Sequence, residues 1–529
     1  MSEPATRSQY PDHIDAAVLK VAGVVVLGAI MSILDITVVN VALPTFQDEF
    51  GTPGDPVPYS TVAWTVTAYT LALATVIPLT GWAADRFGTK RLYMAAIFLF
   101  TAGSALCATA TGINTLIAFR VLQGLGGGML MPLGMTIMTR AAGPHRMGRL
   151  MAILGVPMLL GPILGPILGG WLIEVASWHW IFLINVPLGL IALVYAWFAL
   201  AKDTPHRSES LDLLGVLLMS PGLALFLFGI SSLPMENGDF GAPRVWVSIL
   251  IGLVLMGAFV WHSFRPEHPL LDLRLLRNRN LTVSIITMFL FAAAFFGGLL
   301  LVPTYFQQIR GESTLDAGLL VAPQGLGAMV TMPIAGRLVD KVPVGRIVPF
   351  GIALIIVGMF GLTQLTATTP YGLIIVMLVV MGFGMGGTMM PLFTTALRTL
   401  SGPQVARGST LLNITQQVAS SCGVATMSVI LTNHLNDSPI IPGTQQIPGL
   451  DGGLRETQAA ILENTRPESI APLNLDPAAL ARGLVDAASS FAQTYWVAWV
   501  LVVLTLIPAL LLPRKREETH LTDDAAVIE

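Results

Sequence analysis

The chain has 529 residues and a formal net charge of −3. Hydrophobic residues make up 54% of it and charged residues 11%, against about 25% charged in soluble domains, and the mean hydropathy is +0.73. So little charge cannot coat the roughly three or four soluble domains that this length suggests, and no basic field points to nucleic acid.

The apolar residues fall in runs long enough to cross about 30 Å of hydrocarbon as helices, without the short alternating segments of a β-barrel. In chain order they lie near 18–44, 59–83, 92–112, 114–139, 148–174, 179–201, 210–233, 244–264, 281–307, 315–339, 346–366, 370–397, 405–433 and 488–513. The sequence therefore predicts an all-α polytopic membrane protein with fourteen spans. The first run has no small-residue cleavage site and reads as a first span, not as a removable signal peptide. Lys and Arg stay on the cytoplasmic side of membranes. With the N-terminus placed inside, 22 of the 28 basic residues fall in inner segments, five fall outside and Arg120 lies within a span. Losing one span would scramble that division, so both termini are expected in the cytoplasm.

The chain repeats itself. Residues 81–91 and 336–346 share Gly81 and Gly336, Asp85 and Asp340, a base at Arg86 and Lys341, and a final Arg91 and Arg346, 255 residues apart. At an offset of 259, Pro44 and Thr45 recur as Pro303 and Thr304, and the stretch 127–132 recurs as 386–391. Such halves are a mark of transporters. The expected organisation is a six-helix bundle over 1–201, a linker with two extra spans over 202–280, a second six-helix bundle over 281–513, and a cytoplasmic tail from 514 to 529. The offset of 259 carries Asp35 to Ala294 and Arg120 to Val379, so one half holds deep charges where the other is apolar.

Asp35 stands nine residues before Pro44, about 13 Å from the outer end of its helix, and Arg120 lies six after Asn114, about 9 Å from the same face. A carboxylate in mid-membrane costs roughly 2.5–3.5 kcal/mol on insertion scales, so the two are expected to pair. Arg120 then holds Asp35 ionised, and a carboxylate parted from it in hydrocarbon takes up a proton instead. The pair is either a proton switch or a static structural bridge. Asn40, Gln123, Gln324, Asn413, Gln416 and Gln417 also lie within spans, where they can line a substrate cavity or join helices by hydrogen bonds.

The loop with Gly81, Asp85, Arg86, Gly88, Lys90 and Arg91 reads as a positive-inside turn. More sharply, with Asp340 and Arg346 at the repeated position, it reads as a charge latch that breaks when the bundles rock. On the fifth run Gly155, Gly161, Pro162, Gly165, Pro166, Gly169 and Gly170 form a ladder at mostly four-residue spacing. It lets a neighbour approach closely, while the prolines let the helix bend. Cys107 and Cys422 are expected as packing residues. The stretch 382–387 matches a dinucleotide pattern but sits in a span after no strand. No phosphate-loop motif or metal-ligand spacing occurs, so neither cofactor nor metal is expected. The outer segment 434–487 carries seven acids against three arginines. It reads as a solvated cap, with a short amphipathic helix over 454–464, or as a docking surface for an envelope partner.

The stretch Leu34–Pro44 resembles the first-helix signature of the fourteen-helix drug:proton antiporters of the major facilitator superfamily, the EmrB/QacA group. Residues 81–91 are similar to that superfamily's loop between helices two and three, with Ala83 where Leu is usual, which weakens the packing part of the latch. Arg120–Gly124 is similar to its fourth-helix motif and Gly155–Gly170 to its fifth-helix antiporter motif. The resemblance implies rocker-switch alternating access, proton coupling through Asp35 and Arg120, and the glycine–proline helix as a hinge between halves. It also implies the proton gradient as energy source and a bacterial plasma membrane as location. No acid lies deep in the second half, so lipophilic monocations or neutral amphiphiles fit better than dications. The expected function is proton-coupled multidrug efflux. Export of a cell-envelope lipid or secreted metabolite, with drugs incidental, is the alternative, and a non-transporting receptor or scaffold is a third.

Overall fold

The computed structural model describes residues 15–51, 57–142, 146–201, 210–236, 238–400, 402–436 and 477–514. Among them the chain is helical, with no strand. The first six helices are α1 (Ala16–Glu49), α2 (Trp64–Phe87), α3 (Thr89–Cys107), α4 (Ile113–Ala142), α5 (Met147–Val175) and α6 (Trp180–Ala199, broken for one residue at Ile184). A hairpin follows, α7 (Leu213–Ser232) and α8 (Pro243–Ser263). The last six are α9 (Arg279–Gln308), α10 (Thr314–Val339), α11 (Val344–Leu362), α12 (Tyr371–Arg398, broken at Gly387 and Thr388), α13 (Gly402–Asn436) and α14 (Pro477–Ala509). Twelve of these are long and apolar enough to cross a membrane, and α3 and α5, of 19 and 29 residues, are the other two.

Several helices begin where a polar side chain accepts an otherwise orphaned backbone N–H. Asp15 caps α1 through Val18, Ser313 caps α10 through Asp316, and Asn278 caps α9 through Asn280 and Leu281. Gly88, at φ 85°, supplies the left-handed turn that folds α3 back on α2. Several helices outrun their apolar stretches because backbone hydrogen bonding continues past the hydrophobic residues. Thus α1 runs on through Pro44 to Glu49, and α14 starts at Pro477, well before the apolar stretch expected from 488. The outer segment between 437 and 476, including the amphipathic helix expected at 454–464, and the tail beyond 514 lie outside the described residues.

Packing repeats as the sequence does. In the first half α5 and α6 pack on α1, α2 and α3 on α4, and α3 on α6; in the second, α13 and α14 pack on α9, α10 and α11 on α12, and α11 on α14. Glycines set the spacing. A Cβ on Gly124 or Gly128 of α4 would lie 2.6 Å from the carbonyl of Tyr69 or Leu73 on α2. The two halves meet where α5 packs on α10 and α2 on α13.

The hairpin packs on both halves. Its far end touches α2, where Trp64 stacks on Phe228 at 5.5 Å, and α13, where Val429 joins Leu233 and Val245. Its base is fixed by Asp212, which caps α7 through Gly215 N–H (2.8 Å), accepts from Leu270 N–H (3.1 Å) and meets His262 Nε2 at 2.7 Å. Burial opposes the charge on Asp212, but the His262 contact and the two N–H groups outweigh it and hold the carboxyl below its ordinary value. Asp212→Ala should therefore destabilise the purified protein by about 1–2 kcal/mol in thermal unfolding, the usual cost of a lost cap. A carboxyl held below its unfolded value gives stability that is complete above that value and is lost as pH falls through the lowered one. Wild type and variant should accordingly converge in acid.

Candidate functional site

Asp35 and Arg120 meet in a direct ion pair on α1 and α4, with neither side chain exposed. Two charges this far from water persist only if their remaining hydrogen-bonding positions are filled. Most are. Gln123 Nε2 donates to Asp35 Oδ1 (2.7 Å) while its Oε1 accepts from Arg120 Nη1 (2.8 Å), and Arg120 Nε donates to the Thr65 carbonyl (3.0 Å). Asn185, set at the break in α6, donates to Asp35 Oδ1 at 3.3 Å and to Ser104 Oγ at 3.1 Å. The guanidinium lies 4.2 Å over the Tyr69 ring. Arg120 Nη2 is buried with no hydrogen-bond partner among the described residues. The site is thus a closed polar island built by α1, α2, α3, α4 and α6.

The opposite face of α1 borders a cavity of about 740 Å³. Asn40, Asn413, Gln416 and Gln417 line it, together with Gln307 and the apolar residues Ile36, Leu299 and Phe296. Its mouth, at exposed Asn40, Pro44 and Gln307, lies at the end of the bundle away from the basic residues. Its floor is closed where α4 meets α13: Ser409 Oγ lies 3.0 Å from Thr136 Oγ1 and donates to the Pro132 carbonyl at 3.2 Å, with both side chains buried. Two of the amides expected around a cavity lie elsewhere. Gln123 belongs to the Asp35 island. Gln324 is buried on α10 where Gly382 of α12 meets its backbone carbonyl, and it is not among the lining residues.

Beyond the floor, the basic end is tied across the halves in two related places. Asp340, at the end of α10, accepts from Gly148 N–H (3.2 Å) and Arg149 Nε (3.1 Å) at the start of α5. Asp85, near the end of α2, lies 3.8 Å from Arg407 Nε near the start of α13 and 3.9 Å from Arg140 of α4. Burial pushes the Asp340 carboxyl above its ordinary value, against the pull of Arg149 and Gly148. Gly81 lets Arg407 approach, since a Cβ there would lie 3.5 Å from Arg407 Cα. Lys90 donates to the Trp197 and Leu200 carbonyls at the end of α6 (2.6 and 2.5 Å), Gly88 makes the turn, Arg86 is half-buried, and Arg91 and Arg346 are exposed. The single motifs of the sequence do not mark Arg149 and Arg407. They stand 258 residues apart, close to the repeat offset, a signal from which they could have been found.

The α5 ladder has two faces. Gly148 and Gly155 meet the second half, at Gly336 and at Met332 and Met390. Gly161, Gly165 and Gly169 instead fit against Ile33, Thr37 and Val38 of α1, within the same half, and Thr37 Oγ1 lies 3.1 Å from the Gly161 carbonyl. Gly170 faces open space, and for Pro162 and Pro166 the helical backbone alone is described. Among these glycines, close approach to the second half is therefore confined to the basic end of α5, because α1 occupies the upper rungs.

Residues 25–424 match the family model described as Major Facilitator Superfamily. The chain is 46% identical over 525 residues, covering 97% of it and 93% of the relative, to the Multidrug resistance protein B homolog of Mycobacterium tuberculosis (strain ATCC 25618 / H37Rv). It is 31% identical over 414 residues, 77% of it and 86% of the relative, to the Putative multidrug resistance protein MdtD of Pectobacterium carotovorum subsp. carotovorum (strain PC1). Among solved structures, the proton:xylose symporter XylE aligns with a TM-score of 0.58 at 15% identity, over 95% of this chain and 98% of that one. The human organic anion transporter MFSD10 aligns with a TM-score of 0.58 at 16% identity, over 93% and 100%. At these identities the structural likeness speaks to the fold alone.

Proposed function

The chain belongs to the Major Facilitator Superfamily, and from that membership we propose that it exports amphiphilic small molecules in exchange for protons, by alternating access. It is a multi-pass membrane transporter and not an enzyme. On our reading α3 and α5 cross the bilayer with the other twelve helices, the basic end faces the cytoplasm of a bacterial cell, and the structure is the outward-facing state. The basic residues at the tied end support this orientation, since cations are retained on the cytoplasmic side.

The observation that carries the proposal is the placement of Asp35 and Arg120. Gln123, Asn185 and Thr65 fix the pair on one face of α1, and the other face of that helix borders the cavity. A helix that tilts to close the cavity must shift against α4 and α6, which hold the partners of Asp35. A carboxylate that loses its guanidinium in a site without water takes a proton, and releases it when the pair reforms. The names of the relatives support drugs as cargo, and the uncharged lining, which offers no counter-charge to a dication, supports molecules of little or no charge. No nucleotide is needed: the proton gradient supplies the work.

Proteoliposomes given a pH gradient and no other energy source test this. Dye should accumulate against its gradient, and adding dye to a de-energised sample should release protons. Dye movement indifferent to the gradient defeats the assignment.

A further inference from the structure

Resting on the proton-exchange reading above, we infer that the cavity selects uncharged cargo bearing hydrogen-bonding groups on an apolar frame, so that each exchange moves net charge across the membrane.

The lining contains no Asp, Glu, Lys, Arg or His among the described residues. The α5 stretch 155–170 has no charged residue in its sequence either. What the cavity offers is amide. The carboxamides of Asn40, Gln307, Gln416 and Gln417 line it with no side-chain hydrogen bond among the described residues, each presenting two donors and an acceptor. Their setting is aliphatic, from α1, α9 and α13. This is the arrangement of a small-molecule site that takes apolar area for affinity and a few amides for orientation, and about 740 Å³ is room for a drug-sized molecule.

A cation gains little there. Its nearest acid, Asp35, lies behind α1 with both oxygens engaged by Arg120, Gln123 and Asn185, and its side chain is unexposed. Phe296 is the one aromatic ring in the described lining, so no cage of ring faces compensates a quaternary ammonium. Amides solvate a charge less well than water, and a cation therefore loses on entry what a neutral amide or alcohol does not.

The charge balance follows. One proton enters on Asp35 and one neutral molecule leaves, so one positive charge moves inward per cycle. A monocation leaving would cancel it. Export of neutral cargo is then driven by membrane potential as well as by pH, with about 59 mV worth at most a tenfold cargo gradient.

The labelling test uses the full chain carrying Cys422→Ser and Gln417→Cys and the transport test the unsubstituted chain, both reconstituted in liposomes with potassium and valinomycin to set the potential. Chloramphenicol and thiamphenicol are the neutral probes; ethidium and tetraphenylphosphonium are permanent monocations. The neutral probes should protect position 417 from a maleimide at concentrations at least tenfold below those at which the cations do. Their movement should respond to potential with no pH gradient present. Equal or better protection by tetraphenylphosphonium, or transport of the neutral probes that ignores potential, overturns the inference. Protection by neutral probes with no response to either gradient leaves the selectivity standing and overturns instead the proton exchange on which the charge movement rests.

Discussion

On the proton-exchange reading, Asp35→Asn should abolish pH-driven accumulation, lowering uphill export at least 100-fold in proteoliposomes, while downhill exchange of cargo for cargo continues. The amide keeps the size of the carboxyl group but cannot take and release the proton, and without that step the cargo gradient is cut off from the proton gradient. Each pH unit of driving force is worth about 1.4 kcal/mol, or tenfold in cargo ratio, per proton. A chain that no longer moves the proton collapses to a ratio of one. The substitution also strands Arg120, unexposed, without its counter-charge. Breaking a buried pair from one side costs about 3–5 kcal/mol, so failure to fold could imitate loss of coupling. Asp35→Asn combined with Arg120→Gln removes both charges and avoids that penalty. It should unfold near the wild-type temperature in detergent, bind cargo, and still not concentrate it. Uphill export by the double variant would show that the pair is a structural bridge and nothing more.

Depth along a helix was legible in the sequence, and rotation about it only partly. Charges in hydrocarbon are costly enough that Asp35 and Arg120 stand out by position alone, and their matched distances from the outer face foretold that they meet. The amides are cheaper to bury and so less telling. Gln123 lies three residues from Arg120, which places it on the same helical face, and that spacing assigns it to the ion pair instead of the cavity. No comparable signal marks Asn185, whose position depends on a break in α6 at Ile184, nor Gln307, which reaches the cavity mouth because α9 continues past Pro303. Glycines at 161, 165 and 169 announce a close neighbour without naming it, because a missing side chain fits any partner. The neighbour is α1 and not the other half. For the ties at the basic end the repeat did better: Asp85 and Asp340 occupy related positions, and so do their partners Arg407 and Arg149.

Those two ties join nearly buried carboxylates to partly exposed arginines, but between Gly148 and Gly336 the structure leaves almost no room, and there a substitution should have its second-largest effect. A Cβ on Gly336 would stand 2.6 Å from the Gly148 carbonyl and 2.9 Å from Ala152 Cβ. Backbone cannot swing away as a flexible side chain can, so Gly336→Val must separate α5 from α10 or strain both. Overpacking of this kind costs about 1–3 kcal/mol. If the cost falls on the outward-facing state and not on the inward-facing one, where these helix ends are apart, the balance between the two shifts by about 5- to 150-fold. Asp340→Asn keeps the fit, removes only charge, and should shift it far less. A cysteine in place of Ser409, at the cavity floor, reports the shift, since that position is unexposed while α4 and α13 touch. In inverted vesicles Gly336→Val should open it to an impermeant maleimide from the basic side and depress export by one to two orders of magnitude, with the protein still inserted. Unchanged labelling and near-normal export would mean that α5 and α10 stay together throughout the cycle, and the halves would then have to move about some other contact.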